Sequence, residues 1–210
     1  MERVSLTYFV DFVLKVGTPK LSGVKEFKEH RYDHLTDFYK PLREAIVDMH
    51  EKARPDRALD EFLATLSDER KRRIFPGLVE GYRRFLRPGM KWFTPPHTTL
   101  PVGDLEININ PELGFEIDGT PYIIKTYFRG EPLAQKRVAV VLGLITSALG
   151  PGRVLNDGGV APRASAPPPV FAMLDIKNAR LHTLKSAPNP RLGLLIRGEA
   201  AAFSTIYAAV

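Results

Sequence analysis

The stretch DLEININPELGFEIDGTPYIIKTYF, residues 104–128, decides the predicted fold because apolar and polar residues alternate along most of it. A strand with one buried face shows this two-residue period. The pair Asp118-Gly119 interrupts the alternation, and Asp-Gly is the strongest short signal for a two-residue hairpin loop. The pattern therefore predicts a β-hairpin over residues 104–128, with strands at 105–109, 113–117 and 122–128.

Counting outward from this loop gives the register of the hairpin. Phe115 then faces Tyr122, and Glu112 faces Lys125. One face is apolar and suited to pack on a helix; it carries Leu113, Phe115, Ile117, Tyr122 and Ile124. The other face carries the charged side chains of Glu112, Glu116 and Lys125, with Glu106 beside them. A slip of one residue would exchange the two faces, so the register is strongly specified.

The charged face of the hairpin supports two interpretations. Carboxylates beside a lysine can hold a divalent cation and orient a water molecule for attack on a phosphodiester. The alternative is structural, with Glu112 and Lys125 forming a cross-strand ion pair on a solvated face.

The composition, with 26% charged and 44% hydrophobic residues, is ordinary for a soluble globular protein. The chain has no cysteine, which excludes disulfides, thiolate nucleophiles and cysteine-based zinc sites. Its first residues, MERVSLTYFVDFVLKVG, include Glu2 and Asp11 and have too short an apolar run for a signal peptide or a membrane span. We therefore expect a cytoplasmic protein with no membrane partner.

The order of the predicted elements indicates an α+β fold, in which a helical N-terminal half packs against a small, mostly antiparallel sheet flanked by helices. Residues 1–93 are predicted to form a helical region with a basic C-terminal part. Residues 94–210 are predicted to contain the hairpin and a covering helix at 131–149. A Gly/Pro-rich loop follows at 150–169, and a short strand is predicted at 192–196.

A basic segment lies near the end of the helical region. Its cationic residues are opposed only by Glu80, and they are Arg70, Lys71, Arg72, Arg73, Arg83, Arg84 and Arg87. We expect Pro76 to break or kink the helix between the two basic groups. Cations outside the apolar stripe can follow a phosphate backbone, so DNA or RNA is one expected partner. Neutralising about five phosphates of duplex DNA gives a slope of about −4.5 in log affinity against log salt. The alternatives are a solvated helix without a ligand and a face that docks an acidic protein.

Four potential metal ligands precede this segment, at His30, Asp33, His34 and Asp37. Two imidazoles at i and i+4 with a carboxylate on nearly the same helix face can bind zinc or manganese. Arg31 stands where an H-E-x-x-H motif has its glutamate, so the alternative is a surface helix that carries two histidines without a metal.

The order helix, three strands, helix, strand over residues 70–185 resembles the core of the PD-(D/E)XK nuclease superfamily. The tripeptide Asp104-Leu105-Glu106 resembles the acidic strand of the RecB-like branch. The segment from Tyr122 to Thr126 resembles the strand that carries the family's lysine, and Gln135 resembles that branch's glutamine. A second acid-x-lysine tripeptide, Asp175-Ile176-Lys177, has Asp157 upstream of it.

The resemblance implies a metal-dependent nuclease. Asp104 and Glu106 would bind Mg²⁺ or Mn²⁺, and Lys125 would be a catalytic residue that stabilises the charge developing on the transferred phosphoryl group or orients the attacking water. Glu116 or Glu112, from the neighbouring strand, would supply the second catalytic carboxylate in place of the family's own acid. The family's acid two residues before the lysine is absent, because Ile123 stands there.

The sequence thus predicts a nucleic-acid-binding protein with a nuclease-like core, in which divalent-metal-dependent phosphodiester hydrolysis is the expected activity. The alternative is a non-catalytic interaction or scaffold module that docks an acidic protein partner through its arginine-rich face.

Overall fold

The chain folds into helices and two mixed β-sheets, which confirms the predicted α+β class. The computed structural model describes residues 1–30, 37–150, 167–184 and 190–210. The helices are α1 (Leu6–Leu14), α2 (Thr18–His30), α3 (Lys40–Glu51), α4 (Ala58–Ala64), α5 (Glu69–Phe85), α6 (Gln135–Leu149) and α7 (Pro190–Ala209). The strands are β1 (Glu2–Ser5), β2 (Lys91–Trp92), β3 (Thr98–Val102), β4 (Leu105–Ile109), β5 (Leu113–Ile117), β6 (Thr120–Tyr127), β7 (Val170–Asp175) and β8 (Arg180–Thr183). None of the helices in these ranges is long and apolar enough to cross a membrane.

The smaller sheet has three strands in the order β1-β4-β3. β1 lies parallel to β4, with Val4 opposite Ile107, and β3 lies antiparallel to β4. Ser5 ends β1 and caps α1, because its hydroxyl oxygen accepts a hydrogen bond from the amide of Tyr8. The cap fixes the point at which the chain leaves this sheet and enters the first helix.

The larger sheet has five strands in the order β2-β5-β6-β7-β8. β5 and β6 form the predicted hairpin, and the predicted register is confirmed, with Leu113 opposite Ile124 and Phe115 opposite Tyr122. The loop residue Asp118 has a φ of 50° and Gly119 one of 76°, as a two-residue type I′ turn requires. β6 and β7 lie parallel, and the chain between them includes α6.

Two hydrophobic cores lie on opposite faces of the larger sheet. The first core includes buried residues of α3, α4 and α5 together with the apolar hairpin face, as the alternation predicts. The second core includes residues of α1, α6, α7 and the smaller sheet. Ile123 and Tyr127 point from β6 into this second core, so the hairpin face that carries Lys125 is buried rather than solvated.

The structure corrects the predicted extent of the hairpin. β4 does not continue the sheet of β5 and β6 but pairs with β1 and β3. Three residues, Asn110, Pro111 and Glu112, separate β4 from β5, so the chain passes from one sheet to the other between two strands that look alike in sequence. The single predicted sheet is therefore two sheets.

Three further boundaries differ from the prediction. The covering helix starts at Gln135 rather than at residue 131, and residues 192–196 belong to α7 instead of a strand. α5 continues through Pro76 without a break, although Pro76 cannot donate the backbone hydrogen bond of that position. Its outward position lets water solvate the freed carbonyl, which explains why the helix persists.

His50 at the end of α3 is enclosed by aromatic rings. Its ring stacks on Trp92 with 5.0 Å between centroids and packs edge-on against Phe115. Its Nε2 lies 2.5 Å from the hydroxyl oxygen of Tyr82, which gives the ring a hydrogen-bond partner. Burial lowers the pKa of His50 to about 4, so the ring is uncharged at neutral pH and adds no charge to the core.

Two glycines of α5 give a matched test of how closely this helix packs against the turn after β7. A Cβ atom at Gly81 would overlap the backbone oxygen of Ile176, whereas a Cβ at Gly77 would meet open space. Gly81→Ala should therefore lower the free energy of unfolding by about 1–3 kcal/mol, because a backbone carbonyl cannot move aside as a flexible side chain does. Gly77→Ala should raise it by about 0.5–1 kcal/mol through helix propensity. Chemical denaturation of both variants measures this difference, and equal effects would mean that α5 is not held against the turn after β7.

Candidate functional site

α5 separates its apolar and charged residues onto two sides. Asp68 caps the helix by accepting a hydrogen bond from the amide of Lys71 at 2.8 Å. The inner side is buried in the first core and consists of Phe75, Leu78, Val79, Gly81, Tyr82 and Phe85. Arg73 and Arg84 lie on the outer side, since a separation of 11 residues is just over three full turns. The outer side of α5 therefore carries Arg73 and Arg84 along its middle line, while Arg70 and Arg72, which are two residues apart, lie on its two flanks.

The structure divides the seven predicted phosphate-binding residues by their surroundings. Five are exposed, namely Arg70, Arg72, Arg73, Arg84 and Arg87. Arg83 is half-buried and engaged with α4, where it donates a hydrogen bond of 2.6 Å to Asp60 and another of 3.2 Å to the carbonyl of Asp56. This hydrogen bond with Asp60 raises the pKa of Arg83 and lowers that of Asp60. Arg83 therefore serves to join two helices.

The cationic side chains differ in the contacts that they already make within the protein. Arg70 lies over the ring of Phe38, with 4.9 Å to the centroid, and the half-buried Lys71 lies over the same ring. Arg84 donates to the backbone carbonyl of Lys177 at 2.9 Å, which ties it to the turn between β7 and β8. The side chains of Arg73 and Arg87 have no partner among the described residues. None of the five exposed arginines forms an ion pair with an acidic side chain within these ranges. Arg72 donates a hydrogen bond to the backbone carbonyl of Ser67, which leaves its charge uncompensated.

A second candidate site is a polar cleft at the end of β6, with a buried ion pair at its floor. Lys125 forms an ion pair with Glu112, and the two side chains are only 8% and 9% exposed. Lys125 Nζ also donates to the carbonyl oxygen of Asn110 at 3.1 Å. The other carboxylate oxygen of Glu112 accepts from the amide and the hydroxyl of Thr126, at 2.8 and 2.9 Å. Every polar atom of the pair thus has a partner inside the fold.

The walls of this cleft carry further ion pairs. The cleft has a volume of about 330 Å³ and lies between α1, α3 and the end of β6. Asp11 accepts from Arg129 at 2.5 Å and from Arg137 at 2.6 Å, and Asp37 accepts from Arg43 at 2.9 Å. Acids and bases are therefore matched around the cleft, which gives it little net field for attracting a strongly charged ligand.

The residues predicted as metal ligands and catalytic groups lie apart. Asp104 is exposed at the turn between β3 and β4, and Glu106 pairs with Arg3 at 3.0 Å on the smaller sheet. Glu116 pairs with Lys91 at the edge of the larger sheet, also at 3.0 Å. Glu116 lies opposite Pro121, four residues before Lys125, which places the two about 13 Å apart along β6. In the part of the chain that the structure describes, no three histidine or acidic side chains form a group that could hold a metal ion.

The remaining predicted ligands have other positions. Asp33, His34 and Asp157 lie outside the described residues, as does the side chain of His30. Asp37, from the same candidate metal set, is engaged with Arg43. Gln135 is exposed at the first position of α6.

Asp175 of the second acid-x-lysine tripeptide has a structural role. It is 4% exposed and accepts two hydrogen bonds from Asn178, one from the amide at 3.2 Å and one from the side chain at 2.8 Å. These bonds hold the turn that receives Arg84, so Asp175 is committed to local structure.

Several site residues carried no sequence signal of their own. The hairpin register places Glu112 beside Lys125, but it says nothing of Asn110 and Thr126, which complete their hydrogen bonds. Asp11 stands as a single acid among apolar residues in the sequence, whereas in the structure it joins α1 to Arg137 of α6 and to Arg129. The neutralisation of Arg83 by Asp60 likewise depends on how α4 packs against α5.

Comparison with known proteins adds no relative: no family model matches the chain, and neither the curated proteins nor the solved structures contain a match.

Proposed function

We propose that this protein binds nucleic acid through the outer side of α5, with phosphate contacts made by Arg70, Arg72, Arg73, Arg84 and Arg87. The observation that carries the proposal is the presence of five exposed arginines without acidic partners among the described residues, on and directly after one fixed helix. Arginine presents planar donors that match phosphate oxygens, and release of counterions from the nucleic acid supplies the free energy of binding.

The charge of the whole chain supports the same partner. The formal net charge is +6, and residues 51–100 hold 11 lysines and arginines against 7 acids. Two of those acids, Asp56 and Asp60, are turned toward Arg83 rather than toward the exposed arginines. The acids of α5 itself, Glu69 and Glu80, are outnumbered by the five exposed arginines, so this surface keeps a net positive charge that attracts a polyanion and speeds its association.

The buried ion pair favours binding without hydrolysis. Lys125 Nζ contacts Glu112 and both the carbonyl oxygen and the side-chain oxygen of Asn110, so its three donors are all engaged and none is free for a phosphate in the cleft. Glu116 and Glu106 are held by Lys91 and Arg3 on different sheets. The nuclease-like activity that the family resemblance implies would require these pairs to separate, so we propose a binding role for the protein as it stands.

Fluorescence anisotropy of labelled DNA and RNA across a salt series tests this proposal. Five phosphate contacts predict a slope of about −4.5, so affinity should fall roughly 500-fold between about 50 and about 200 mM salt. No binding at the lowest salt would overturn the proposal and leave an acidic protein as the partner of the arginine-rich face. Capture of such a protein, insensitive to nuclease treatment, would support that alternative.

A parallel series with Mn²⁺ separates binding from hydrolysis. We expect the anisotropy to stay constant with time after Mn²⁺ is added. A time-dependent fall that needs Mn²⁺ would mean cleavage, and it would overturn the assignment of a purely binding role while leaving the binding surface in place.

A further inference from the structure

The exposed arginines on and directly after α5 form two groups rather than one continuous row. The N-terminal group is Arg70, Arg72 and Arg73, and the C-terminal group is Arg84 and Arg87. With a rise of 1.5 Å per residue, Arg73 and Arg84 are about 17 Å apart along the helix axis. The hydrogen bond from Arg84 to the backbone carbonyl of Lys177 anchors the C-terminal group to the turn between β7 and β8.

The middle of the outer side lacks cations and carries one acid. Pro76, Gly77 and Glu80 are exposed there, and Glu80 lies on the same side as Arg73, since seven residues are almost two full turns. A single row of phosphates that followed the helix would pass over the Glu80 carboxylate. The negative charges of the phosphates and the carboxylate would then repel each other. The two groups are therefore suited to two separate phosphate rows.

The aromatic residues of α5 are unavailable for base stacking. Phe75, Tyr82 and Phe85 are all buried in the first core. Every other aromatic residue in the described ranges is also buried or half-buried. Proteins that bind single strands combine a basic groove with exposed aromatic rings on which bases stack, whereas this surface presents only cations.

We infer that the preferred ligand is duplex DNA, with α5 crossing the major groove and its two cation groups contacting the phosphate rows on either side. The separation of about 17 Å exceeds the width of the major groove of B-form DNA, about 12 Å, so guanidinium groups at both ends reach its walls while Glu80 lies over the open groove. The major groove of duplex RNA is deep and narrow and fits this spacing less well. This inference rests on the proposed function.

Fluorescence anisotropy with three labelled ligands tests the inference. The ligands share one sequence and length and are duplex DNA, single-stranded DNA and duplex RNA. We expect duplex DNA to bind at least roughly tenfold more tightly than either other ligand at about 50 mM salt. Binding of single-stranded DNA or duplex RNA as tight as that of duplex DNA would overturn the inference. Failure of all three to bind would instead overturn the proposed function, so the two failures are distinguishable.

Glu80→Gln gives an independent readout of the geometry. If Glu80 lies over the groove, the substitution should change affinity for duplex DNA by less than about threefold but strengthen binding of single-stranded DNA by more. An increase that is larger for the duplex would mean that a phosphate row passes over Glu80, and it would overturn the groove-crossing arrangement. Glu131→Gln removes an exposed acid before α6 and changes the net charge by the same amount, so it is the matched control and should leave the order of the three ligands unchanged.

Discussion

Replacing Lys125 with methionine should lower the free energy of unfolding by about 3–5 kcal/mol, because the Glu112 carboxylate would stay buried without its cation. The side chains of the pair are almost fully enclosed, and the remaining partners of Glu112 are the amide and hydroxyl of Thr126. Those two neutral donors cannot replace the charge of the ammonium group. Methionine keeps most of the volume of the lysine stem, so the loss reports electrostatics rather than a cavity.

The double variant Glu112→Gln with Lys125→Met is the matched control. A glutamine side-chain oxygen can still accept from Thr126, and no buried charge remains, so most of the lost stability should return. Urea denaturation of both variants, with an unchanged dependence on urea, measures this recovery. A single variant as stable as the wild type would show that water reaches the pair and that it is not a buried element of the fold.

This outcome also decides how a loss of any cleavage in a Lys125 variant is understood. The family resemblance implies that Lys125→Ala abolishes cleavage and leaves binding intact. Destabilisation of several kcal/mol would remove both together, since α5 packs on the same sheet as the Glu112–Lys125 pair. Comparison of the single and double variants therefore separates a catalytic lysine from one that supports the fold.

Local chemistry was sufficient to predict the hairpin from sequence. Asp118-Gly119 supplies the backbone conformation that a two-residue loop needs, and the alternation on both sides then fixes the register. The contact between Glu112 and Lys125 follows from that register alone. These features depend on residues close in sequence, and for that reason one sequence contains enough information to derive them.

Features that depend on distant pairing were not predictable in the same way. The alternation of β4 is as regular as that of β5, yet β4 pairs with β1, about 100 residues earlier in the chain. The short apolar run at 192–196 has no period long enough to distinguish a strand from a helix, and its inclusion in α7 depends on packing. The burial of Lys125 depends on the second core, whose helices are not visible from the hairpin sequence.

The candidate surface shows the same division. The spacing of the arginines on α5 is a local property, and the sequence places Arg73 and Arg84 on one side of a helix if the helix is continuous. Two other properties of this surface depend on tertiary packing. The helix continues through Pro76 because its inner side is packed in the first core, and Arg83 is neutralised because α4 places Asp60 beside it. The structure thus reduces the predicted set of seven cations to the five that stay exposed.

Reversal of charge at Arg73 and Arg84 should weaken binding of duplex DNA by about 100-fold or more at about 50 mM salt. Each glutamate removes one phosphate contact and adds a repulsion, so the salt slope should fall from about −4.5 to about −2.7. Both side chains are exposed, and the one hydrogen bond lost is that of Arg84 to the Lys177 carbonyl, so the change in stability should stay within about 0.5 kcal/mol.

A second double reversal, Lys25→Glu with Lys136→Glu, separates the local surface from the overall charge. Both residues are exposed cations on α2 and α6, so this variant has the same net charge as the α5 variant. If the outer side of α5 binds the nucleic acid, the control should lose only the long-range attraction, roughly threefold in affinity, and keep the full salt slope. Equal losses in the two variants would mean that the affinity comes from the charge of the whole chain and not from the arginines of α5.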